Sequence, residues 1–488
     1  MVRTSIFSWK FTRRDEFLIL FLSLLFRLFS LFYSGGFLHS DEIFQTVEQA
    51  HRIRYGYGIR PFEFRSREFK DVVDWSWGER SYFFPLLLSF LDLLNPFRYS
   101  TIWFRFVASL FSALVPLLMY KIGLEIYGKK VALFSGVVAT FWWELLYFSS
   151  RTLSTPFATP FLLLSIYFAL RKKANPFLSG VFLGIAFMVR FTVLVVLPPL
   201  LLFLGRKMTG LMSGLLLMLL FQGLLDVVTW GGFLHSPLEF IRYNFFGEGT
   251  KLFGEEPIEY YLVSLLNHLG PLSLVAFPYS AYASTLGNRK EKLLSDIFFL
   301  SLLFFSWVPH KEFRFIFFLI PIFLLFFSRG FYLLLSKFSL RREYFKLIFF
   351  VFLVSLWLGS KLDWSPRKDL CSAMELVGKQ EDLRSLLVFE TWSETGGYTY
   401  LHRDVPIYFF PAQEIRLPEI NEVEDLPSLR KLLEGEVNYV ICTSEKSEFL
   451  MNFEERVGQD VLKICLNETS PYFEEFKRIG NTIILKRK

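Results

Sequence analysis

Apolar blocks close to twenty residues long recur along this chain, and they limit what it can fold into more than any other feature. Examples run from Leu18 to Tyr33 and from Phe104 to Tyr120. A helix rises about 1.5 Å per residue, so such a block crosses the roughly 30 Å of hydrocarbon in a bilayer. With 53% hydrophobic residues and 61 phenylalanines in 488, the chain has more apolar surface than a soluble protein of this size can bury. The sequence predicts a polytopic membrane protein.

The net charge of +7 does not point to nucleic acid, because the basic residues form short clusters between apolar blocks. Basic loops face the cytoplasm in membrane proteins. One threading places every cluster there, with the N-terminus inside and the first apolar block retained as a span. It puts residues 35–100, 229–260, 309–314 and the tail on the outer side. The clusters are 121–130, 171–173, 206–207, 289–292 and 337–346.

The segment Asn175–Arg206 is too long for one span and too short for two. It carries Arg190 in its middle and Pro198 with Pro199 in its second half. A charge among apolar residues is tolerated where it lines a polar cavity or pairs, and irregular backbone is tolerated where protein covers it. The segment predicts a broken or re-entrant pair, which brings the total to about 11 membrane segments.

The tail from about Lys361 changes character, with charges throughout and shorter apolar runs such as "SLLVFE", "NYVICTS" and "TIILKRK". This pattern predicts a small soluble α/β domain over residues 361–488, beside a membrane region over 1–360. All three cysteines lie in the tail. Cys442 and Cys465 could pair on an oxidising side, but we expect buried thiols.

The first external loop is polar where its neighbours are apolar, with Asp41, Glu42, Glu48 and His51 close together. On a helix Asp41, Glu48 and His51 lie near one face. A carboxylate there can act as a base, or the acids can merely cap a helix end. With His39 the group could be drawn as a metal site, but its spacing does not match compact zinc patterns. We expect no cofactor, and the sequence leaves dependence on a divalent metal open.

This loop resembles the start of glycosyltransferase family 22, the Alg9-like and GPI mannosyltransferases. That family has a His-Pro-Asp-Glu type motif after its first span, then Tyr-Gly-x-Gly and Trp-Glu before Arg-Ser. Ser40 replaces the Pro and Phe62 replaces the Trp, which puts acceptor preference in doubt more than the reaction. The matching residues are His39, Asp41, Glu42, Gln45, Glu48, His51, Tyr55, Gly56, Gly58, Glu63, Arg65 and Ser66.

Further pieces of the same resemblance follow in order along roughly residues 15–330. They are Arg151 with Thr152 and Ser154, Arg190 to Thr192, Asp226 followed by Phe240 and Asn244, the segment "FGEEPIEYY", and "PHKEFRF" at Pro309 to Phe315. The resemblance implies the GT-C architecture, in which an external cavity takes a sugar from a polyprenyl-phosphate carrier. It implies a membrane mannosyltransferase that acts on a lipid-linked or glycan acceptor.

The chemistry of such a donor defines the residues that the enzyme needs. A phosphate leaves as a stable anion, so the acceptor hydroxyl needs a base more than the leaving oxygen needs an acid. Asp41 is the candidate base and Glu42 the alternative. Charge-assisted bonds would hold the phosphate; the candidates are His310, Lys311, Arg314, Arg151 and Arg190. Substrate-binding candidates are His39, Gln45, Glu48, His51, Asp226 and Asn244.

Other structural or functional explanations are available for these residues. Lys311 and Arg314 could reach the membrane interface from a span end, and Arg190 could pair with Asp226. A lipid flippase or solute transporter would also show many spans and intramembrane charge, and another GT-C transferase would share the architecture. We expect polyprenyl-phosphate mannose, the acceptor and the bilayer as partners, without nucleic acid. A prokaryotic plasma membrane is favoured, with the endoplasmic reticulum as the alternative.

Overall fold

The computed structural model describes residues 14–65, 78–97, 101–246, 254–337, 344–413, 417 and 419–488. Within them, five helical stretches are long and apolar enough to cross a membrane, and shorter apolar helices accompany them. The long ones are Arg14–Tyr33, Ile102–Ile126, Phe191–Trp230, Tyr260–Thr285 and Leu319–Ser336. The expected multi-pass membrane protein is confirmed. Ser66 of the first motif and residues 247–253 of an external loop lie outside the described part of the chain.

The membrane region is helical, and its helices follow the apolar blocks of the sequence. They are α1 (Arg14–Tyr33), α2 (Ser40–Glu42), α3 (Glu48–Tyr55), α4 (Phe83–Asp92), α5 (Ile102–Ser112), α6 (Leu114–Ile126), α7 (Lys129–Phe141), α8 (Trp143–Tyr147), α9 (Ser154–Leu170), α10 (Pro176–Val189), α11 (Leu197–Leu204), α12 (Met208–Trp230), α13 (His235–Ile241), α14 (Tyr260–Leu269), α15 (Ser273–Thr285), α16 (Arg289–Trp307), α17 (Leu319–Lys337) and α18 (Tyr344–Gly359). A π-helical stretch, Ile43–Val47, joins α2 to α3.

A backbone break at Arg190 divides the segment that is too long for one span. α10 ends at Val189, Arg190 is extended (φ −148°, ψ 107°), and a 3-10 stretch over Phe191–Val196 leads into α11. The break frees the Arg190 side chain from the apolar helix face and turns it toward a polar cavity. The predicted broken pair is confirmed.

Two glycines bring α10 and α12 into backbone contact. A Cβ at Gly180 would lie 1.9 Å from the Leu211 carbonyl oxygen, and one at Gly214 would lie 2.1 Å from that of Phe177. Apolar burial between helices gains little in lipid, so close approach at small residues supplies the packing. Arg190 follows α10 and α13 follows α12, so this contact fixes the position of Arg190 relative to α13.

The helix that follows the predicted external turn 309–314 begins several residues after that turn. Residues Phe313–Ile316 form a 3-10 turn, and α17 begins only at Leu319. The turn carries Arg314, whose guanidinium pairs with carboxylates on the outer side. A buried charge needs partners, so these pairs keep the first residues out of the span.

The tail forms a six-stranded sheet with helices on it. Its elements are α19 (Lys368–Gly378), β1 (Leu386–Phe389), α20 (Gly397–Leu401), β2 (Ile407–Phe409), β3 (Asn421–Glu422), α21 (Leu426–Gly435), β4 (Tyr439–Thr443), α22 (Glu448–Val457), α23 (Val461–Thr469), β5 (Phe473–Ile479) and β6 (Thr482–Arg487). The strand order is β3-β2-β1-β4-β6-β5. β1 pairs in parallel with β2 and β4, whereas β6 runs antiparallel to β4 and β5. The three apolar runs of the tail are β1, β4 and β6, as predicted.

A disulfide joins Cys442 on β4 to Cys465 on α23, with 6.1 Å between the Cα atoms. The prediction of thiols is therefore wrong for this pair. Both side chains belong to one buried apolar cluster between the sheet and its helices, and this packing brings them together. Cys371 on α19 is a buried thiol.

The tail packs against the first external loop. The Phe37 amide donates to the Pro366 carbonyl oxygen (3.1 Å), and the rings of Phe44 and Trp392 meet edge to face at 5.0 Å. The loop that carries Asp41 and the sheet domain therefore lie at the same end of the helices.

Candidate active site

A cavity of about 480 Å³ lies where the external segments meet. Its wall takes side chains from the first external loop, the break at Arg190, α13 and its continuation, the turn after α16, and the tail. The lining residues with polar side chains are His39, Ser40, Asp41, Gln45, Glu63, Glu79, Arg80, Arg190, Thr192, Tyr243, Asn244, His310, Glu312, Arg314, Trp392, Ser393 and Gln413. Seven of the residues proposed from the sequence meet here: His39, Asp41, Gln45, Arg190, Asn244, His310 and Arg314.

Asp41 carries the central carboxylate of this cavity. Its Oδ2 lies 2.8 Å from Arg314 Nη1, and its Oδ1 accepts a hydrogen bond from Gln45 Nε2 (2.8 Å). The His39 ring stands at the N-terminus of α2, where Nδ1 accepts from the Asp41 amide (3.1 Å). Burial would raise the pKa of Asp41, but the Arg314 guanidinium and then His39 hold it well below its usual range. Asp41 is therefore ionised at neutral pH.

The turn after α16 supplies the matching cation. Glu312 accepts two bonds from Arg314, one from Nε (2.5 Å) and one from Nη2 (2.7 Å), and His310 Nε2 lies 3.1 Å from the same carboxylate. Burial opposes ionisation of Glu312, yet Arg314 and the hydrogen bond with His310 lower its pKa. Arg314 is thus shared between Glu312 and Asp41, as a planar guanidinium with five donors permits.

Arg190 lines the cavity without the partner proposed for it. Its Nε donates to Thr192 Oγ1 (3.3 Å), and its guanidinium lies 5.0 Å from the centre of the Phe315 ring. Asp226 instead accepts from the Ser236 amide (2.9 Å) and from Gln222 Nε2 (2.8 Å). The hypothesis of an Arg190–Asp226 pair is wrong, because Asp226 fastens the start of α13 to α12.

Glu42 and Arg151 shape the loop and do not line the cavity. Glu42 is 2% exposed and accepts from the Leu38 amide (2.9 Å). Arg151 donates to the carbonyl oxygens of Gly35 (3.0 Å) and Trp364 (2.9 Å). Together they hold the entry to α2 against the tail. This geometry does not favour Glu42 as the base or Arg151 as a phosphate ligand.

Lys311 also points away from the cavity. Its Nζ donates to the Glu256 carbonyl oxygen (2.6 Å) and to that of Pro309 (3.2 Å), and the residue is 5% exposed. Burial lowers its pKa. The side chain ties the turn after α16 to the segment before α14, so it holds Arg314 in place.

Glu48 and His51 face the tail. Glu48 is fully buried and accepts from the amides of Ile59 (2.8 Å), Tyr398 (3.1 Å) and Thr399 (2.8 Å), and from the Thr399 hydroxyl. Gly397 has φ +58°, and a Cβ there would lie 2.9 Å from this carboxyl group, so only glycine fits this close turn. Glu48 is an anchor for the sheet domain.

His51 packs among aromatic rings. Its centroid lies 4.6 Å from that of Tyr55, 4.9 Å from that of Tyr57 and 5.3 Å from that of His402. Burial, followed by the charge of His402, lowers the pKa of His51 to about 3. It is a neutral packing residue at the interface with the tail, away from the lining residues of the cavity.

Several lining residues were absent from the sequence-based site. Glu63 matches the family motif, but the motif alone assigns no role to it. The sequence motifs do not include Glu79, Arg80, Trp392 or Gln413. Burial raises the pKa of Glu63 to about 7 and that of Glu79 to about 8. A Glu-Arg pair directly before the apolar helix α4 was the available signal, because charges at the outer end of a helix in a polar loop often face the substrate.

Among the described residues no group of three or more His, Cys, Asp or Glu side chains is arranged to hold a metal ion.

Solved structures share this fold at low sequence identity. ArnT from Cupriavidus metallidurans bound to undecaprenyl phosphate has a TM-score of 0.67 at 13% identity, covering 96% of this chain and 97% of that one. The Archaeoglobus fulgidus oligosaccharyltransferase has a TM-score of 0.56 at 11% identity, covering 94% of this chain and 72% of that one. Likeness at this identity concerns the fold alone, and it confirms the GT-C architecture.

Related sequences are named mannosyltransferases. Mannosyltransferase APTG1 of Arabidopsis thaliana is 26% identical over 344 residues, 63% of this chain and 57% of that protein. GPI mannosyltransferase 3 of Drosophila melanogaster is 28% identical over 324 residues, 62% of this chain and 54% of that protein. The chain thus spans little more than half the length of these two. GPI mannosyltransferase 3 of Yarrowia lipolytica is 25% identical over 421 residues, 82% of this chain and 78% of that protein.

The model of the Alg9-like mannosyltransferase family matches residues 18–402. This match reaches well into the tail, beyond the 15–330 covered by the motifs. It spans most of the 488 residues and includes most of the cavity wall. The chain belongs to the Alg9-like mannosyltransferase family.

Proposed function

We propose that the chain transfers a mannose from a polyprenyl-phosphate carrier to a lipid-linked or glycan acceptor, with Asp41 as the general base. The observation that carries this proposal is the Asp41 carboxylate, which is ionised inside a cavity and paired at 2.8 Å with a cation that can bind a phosphate. Family membership supports transfer of mannose over transport of a lipid or solute. The ArnT structure with the same fold was solved with undecaprenyl phosphate, which supports a carrier of that class.

In the proposed reaction, the acceptor hydroxyl attacks the anomeric carbon from the side opposite the phosphate. Its proton passes to an Asp41 oxygen, and the electron pair of the breaking C–O bond leaves with the phosphate. The anomeric configuration inverts through an oxocarbenium-like transition state. Because the carrier phosphate is a good leaving group, one carboxylate suffices.

Arg314 resolves a difficulty in this scheme. A carboxylate whose pKa lies far below neutrality is ionised but weakly basic. An arriving phosphate competes with Asp41 and Glu312 for the Arg314 guanidinium, since Arg binds phosphate in the same forked geometry as carboxylate. Donor binding then weakens the Asp41–Arg314 pair and raises the basicity of Asp41 when the acceptor needs it.

The candidate phosphate ligands reduce to Arg314, Arg190 and His310, which all line the cavity. Lys311 and Arg151 leave this set, since they are not among the lining residues and both donate to main-chain carbonyl oxygens. Asn244 also lines the cavity, with its amide nitrogen on the Phe240 carbonyl oxygen (2.8 Å), which leaves its side-chain oxygen for a substrate hydroxyl.

The expected prokaryotic plasma membrane has no support among the relatives named above, which all come from eukaryotes. We propose the endoplasmic reticulum, the alternative from the sequence. The sheet domain and the cavity would then face its lumen.

The deciding experiment incubates the purified full chain in lipid nanodiscs with polyprenyl-phosphate mannose and a membrane lipid extract, followed by mass analysis. We expect products heavier by one hexose. GDP-mannose without carrier should give none, because the carrier enters from the bilayer. Turnover with GDP-mannose alone, or products carrying a different sugar from a mixed donor pool, would contradict the proposal and favour another transferase class.

A further inference from the structure

The wall of the cavity beside Asp41 contains a second acidic group that the proposed reaction does not use. Glu79 is 3% exposed and Glu63 is 6% exposed, and both line the cavity. The Oε2 atom of each is buried and has no hydrogen-bond partner among the residues that the structure describes. Buried polar atoms are nearly always paired in folded proteins, so two unpaired oxygen atoms on residues that line one cavity indicate a ligand that supplies the partners.

Arg80 belongs to the same cluster. It lines the cavity, its guanidinium carbon lies 5.8 Å from the centre of the Phe240 ring, and its buried Nε has no partner in the described part of the chain. Its charge lowers the pKa of both Glu63 and Glu79, against burial. The cluster therefore presents acceptors and a donor on the wall of one cavity, a combination that suits adjacent hydroxyl groups better than a single charge.

Gln45 links this cluster to the base. Its Nε2 donates both to Asp41 Oδ1 (2.8 Å) and to Glu63 Oε1 (2.7 Å). A ligand held by Glu63 and Glu79 thus lies next to the Asp41 carboxylate. Because one Gln45 nitrogen bonds both carboxylates, a single sugar ring can place one hydroxyl group on the cluster and a neighbouring one at the base.

We propose that Glu63, Glu79 and Arg80 form a subsite that binds adjacent hydroxyl groups of a hexose. This inference rests on the proposed transferase function and deepens it. The hexose is either the mannose being transferred or the sugar of the acceptor, which share this chemistry. Glu79 acts here as a neutral carboxyl group that donates one hydrogen bond and accepts another, whereas Asp41 acts as an anion.

Substitution by the corresponding amide distinguishes the two roles, because Glu79 should tolerate it and Asp41 should not. Glu79→Gln keeps a donor and an acceptor, so KM should stay within about threefold of wild type, whereas Glu79→Leu should raise KM by about tenfold to hundredfold, the loss of one or two hydrogen bonds. A rise in the acceptor KM assigns the subsite to the acceptor sugar, and a rise in the donor KM assigns it to the transferred mannose. Unchanged KM values for both substrates in Glu79→Leu overturn the subsite.

A binding measurement separates this inference from the transferase proposal. The full-length wild type, Glu79→Leu and a control, Glu239→Leu, are unfolded thermally in detergent with rising methyl α-mannoside. Glu239 pairs with Arg242 at 2.6 Å and is not among the lining residues. We expect the sugar to raise the melting temperature of wild type and control but not of Glu79→Leu. Equal shifts in all three overturn the subsite, even if mannose transfer is demonstrated.

Discussion

Asp41 and Glu79 line one cavity, yet their surroundings hold them in opposite protonation states. Arg314 keeps Asp41 ionised, whereas burial keeps Glu79 protonated near neutral pH. Two carboxyl groups whose environments separate their pKa values usually have different roles in a site. A base and a hydrogen-bonding group for a sugar are the two roles that fit here.

The first prediction concerns the base. Asp41→Asn keeps the volume and the bond from Gln45 but accepts no proton at neutral pH, so kcat should fall by roughly a hundredfold to ten-thousandfold. Donor KM should change little, because Arg190 and His310 remain. Single-turnover transfer in nanodiscs measures this. Glu42→Gln serves as the neighbouring control, and near-normal kcat in a folded Asp41→Asn variant would move the role of base to another residue.

A second prediction follows from the pKa of Glu79. Its folded value of about 8 lies above the usual value of 4.5, so the folded state binds the proton more tightly than the unfolded state. The contribution of Glu79 to the free energy of unfolding therefore falls as the pH rises from about 4.5 to 8, and it is constant outside that window. The charges that act on the pKa of Glu79 are those of Arg80, Glu63, Asp41 and Arg190, and Glu79 in turn raises the pKa of Tyr243.

The Glu79→Gln variant has no titratable group at this position. We expect its melting temperature in detergent to fall less than that of wild type between pH 5.5 and pH 8.5. Asp41 stays ionised across this range, and Arg190 and Glu63 are present in both proteins, so the difference reports Glu79. Parallel curves for the two proteins would mean that Glu79 is ionised throughout.

Lys311 gives the third prediction, which reverses the sequence-based one. Since its ammonium group binds the carbonyl oxygens of Glu256 and Pro309, Lys311→Met should leave the donor KM within about twofold. Stability should fall by about 1–3 kcal/mol, because two buried acceptors lose their donor. Arg314→Lys should instead raise the donor KM. A large rise in donor KM for Lys311→Met would restore Lys311 as a phosphate ligand.

At the scale of elements, the sequence predicted the helices well and the orientation of their side chains poorly. Length and charge alone located the break at Arg190. The polar motifs also identified the loops that build the cavity. However, a motif does not state whether Glu42, Glu48 or Arg151 points into a cavity or into the neighbouring backbone. Glu48 and Arg151 turn toward a tail far along the chain, and nothing local to either residue indicates that contact.

The contact between α3 and α20 gives the fourth prediction. Gly397→Ala places a methyl group 2.9 Å from the Glu48 carboxyl carbon at a positive φ, which should cost about 1–3 kcal/mol. Limited proteolysis of the full chain in detergent should then release the sheet domain at lower protease concentration. Gly435→Ala is the matched control, since a Cβ there meets nothing within 4 Å. Equal resistance of the two variants would show that this contact does not hold the domain.

At the scale of the whole molecule, the Asp41 loop, the turn that carries Arg314 and the tail meet at one end. The charge-based threading requires this arrangement, because it places all three on the non-cytoplasmic side. The Cys442–Cys465 disulfide agrees with that side, since oxidising compartments preserve disulfides. The tail was the least predictable part, because its residues contribute to the cavity without any motif to mark them.

The fifth prediction tests the threading. In sealed vesicles with the cytoplasmic face outward, Lys172→Cys should react at once with an impermeant maleimide, and Glu419→Cys should react only after permeabilisation. Both native residues are exposed. Background is low, because Cys371 is buried and the other two cysteines form the disulfide. Immediate labelling of Glu419→Cys would invert the topology.

The cavity wall runs in sequence from His39 to Leu417, and the strand that leads into Trp392 is held between β2 and β4. β4 in turn needs β6, which ends at Arg487. During synthesis, the first acidic loop would cross the membrane long before its last wall exists. The nascent chain would therefore carry an open, unfinished cavity until β6 pairs with β4, and a chain shortened at β6 would be inserted in the membrane yet inactive.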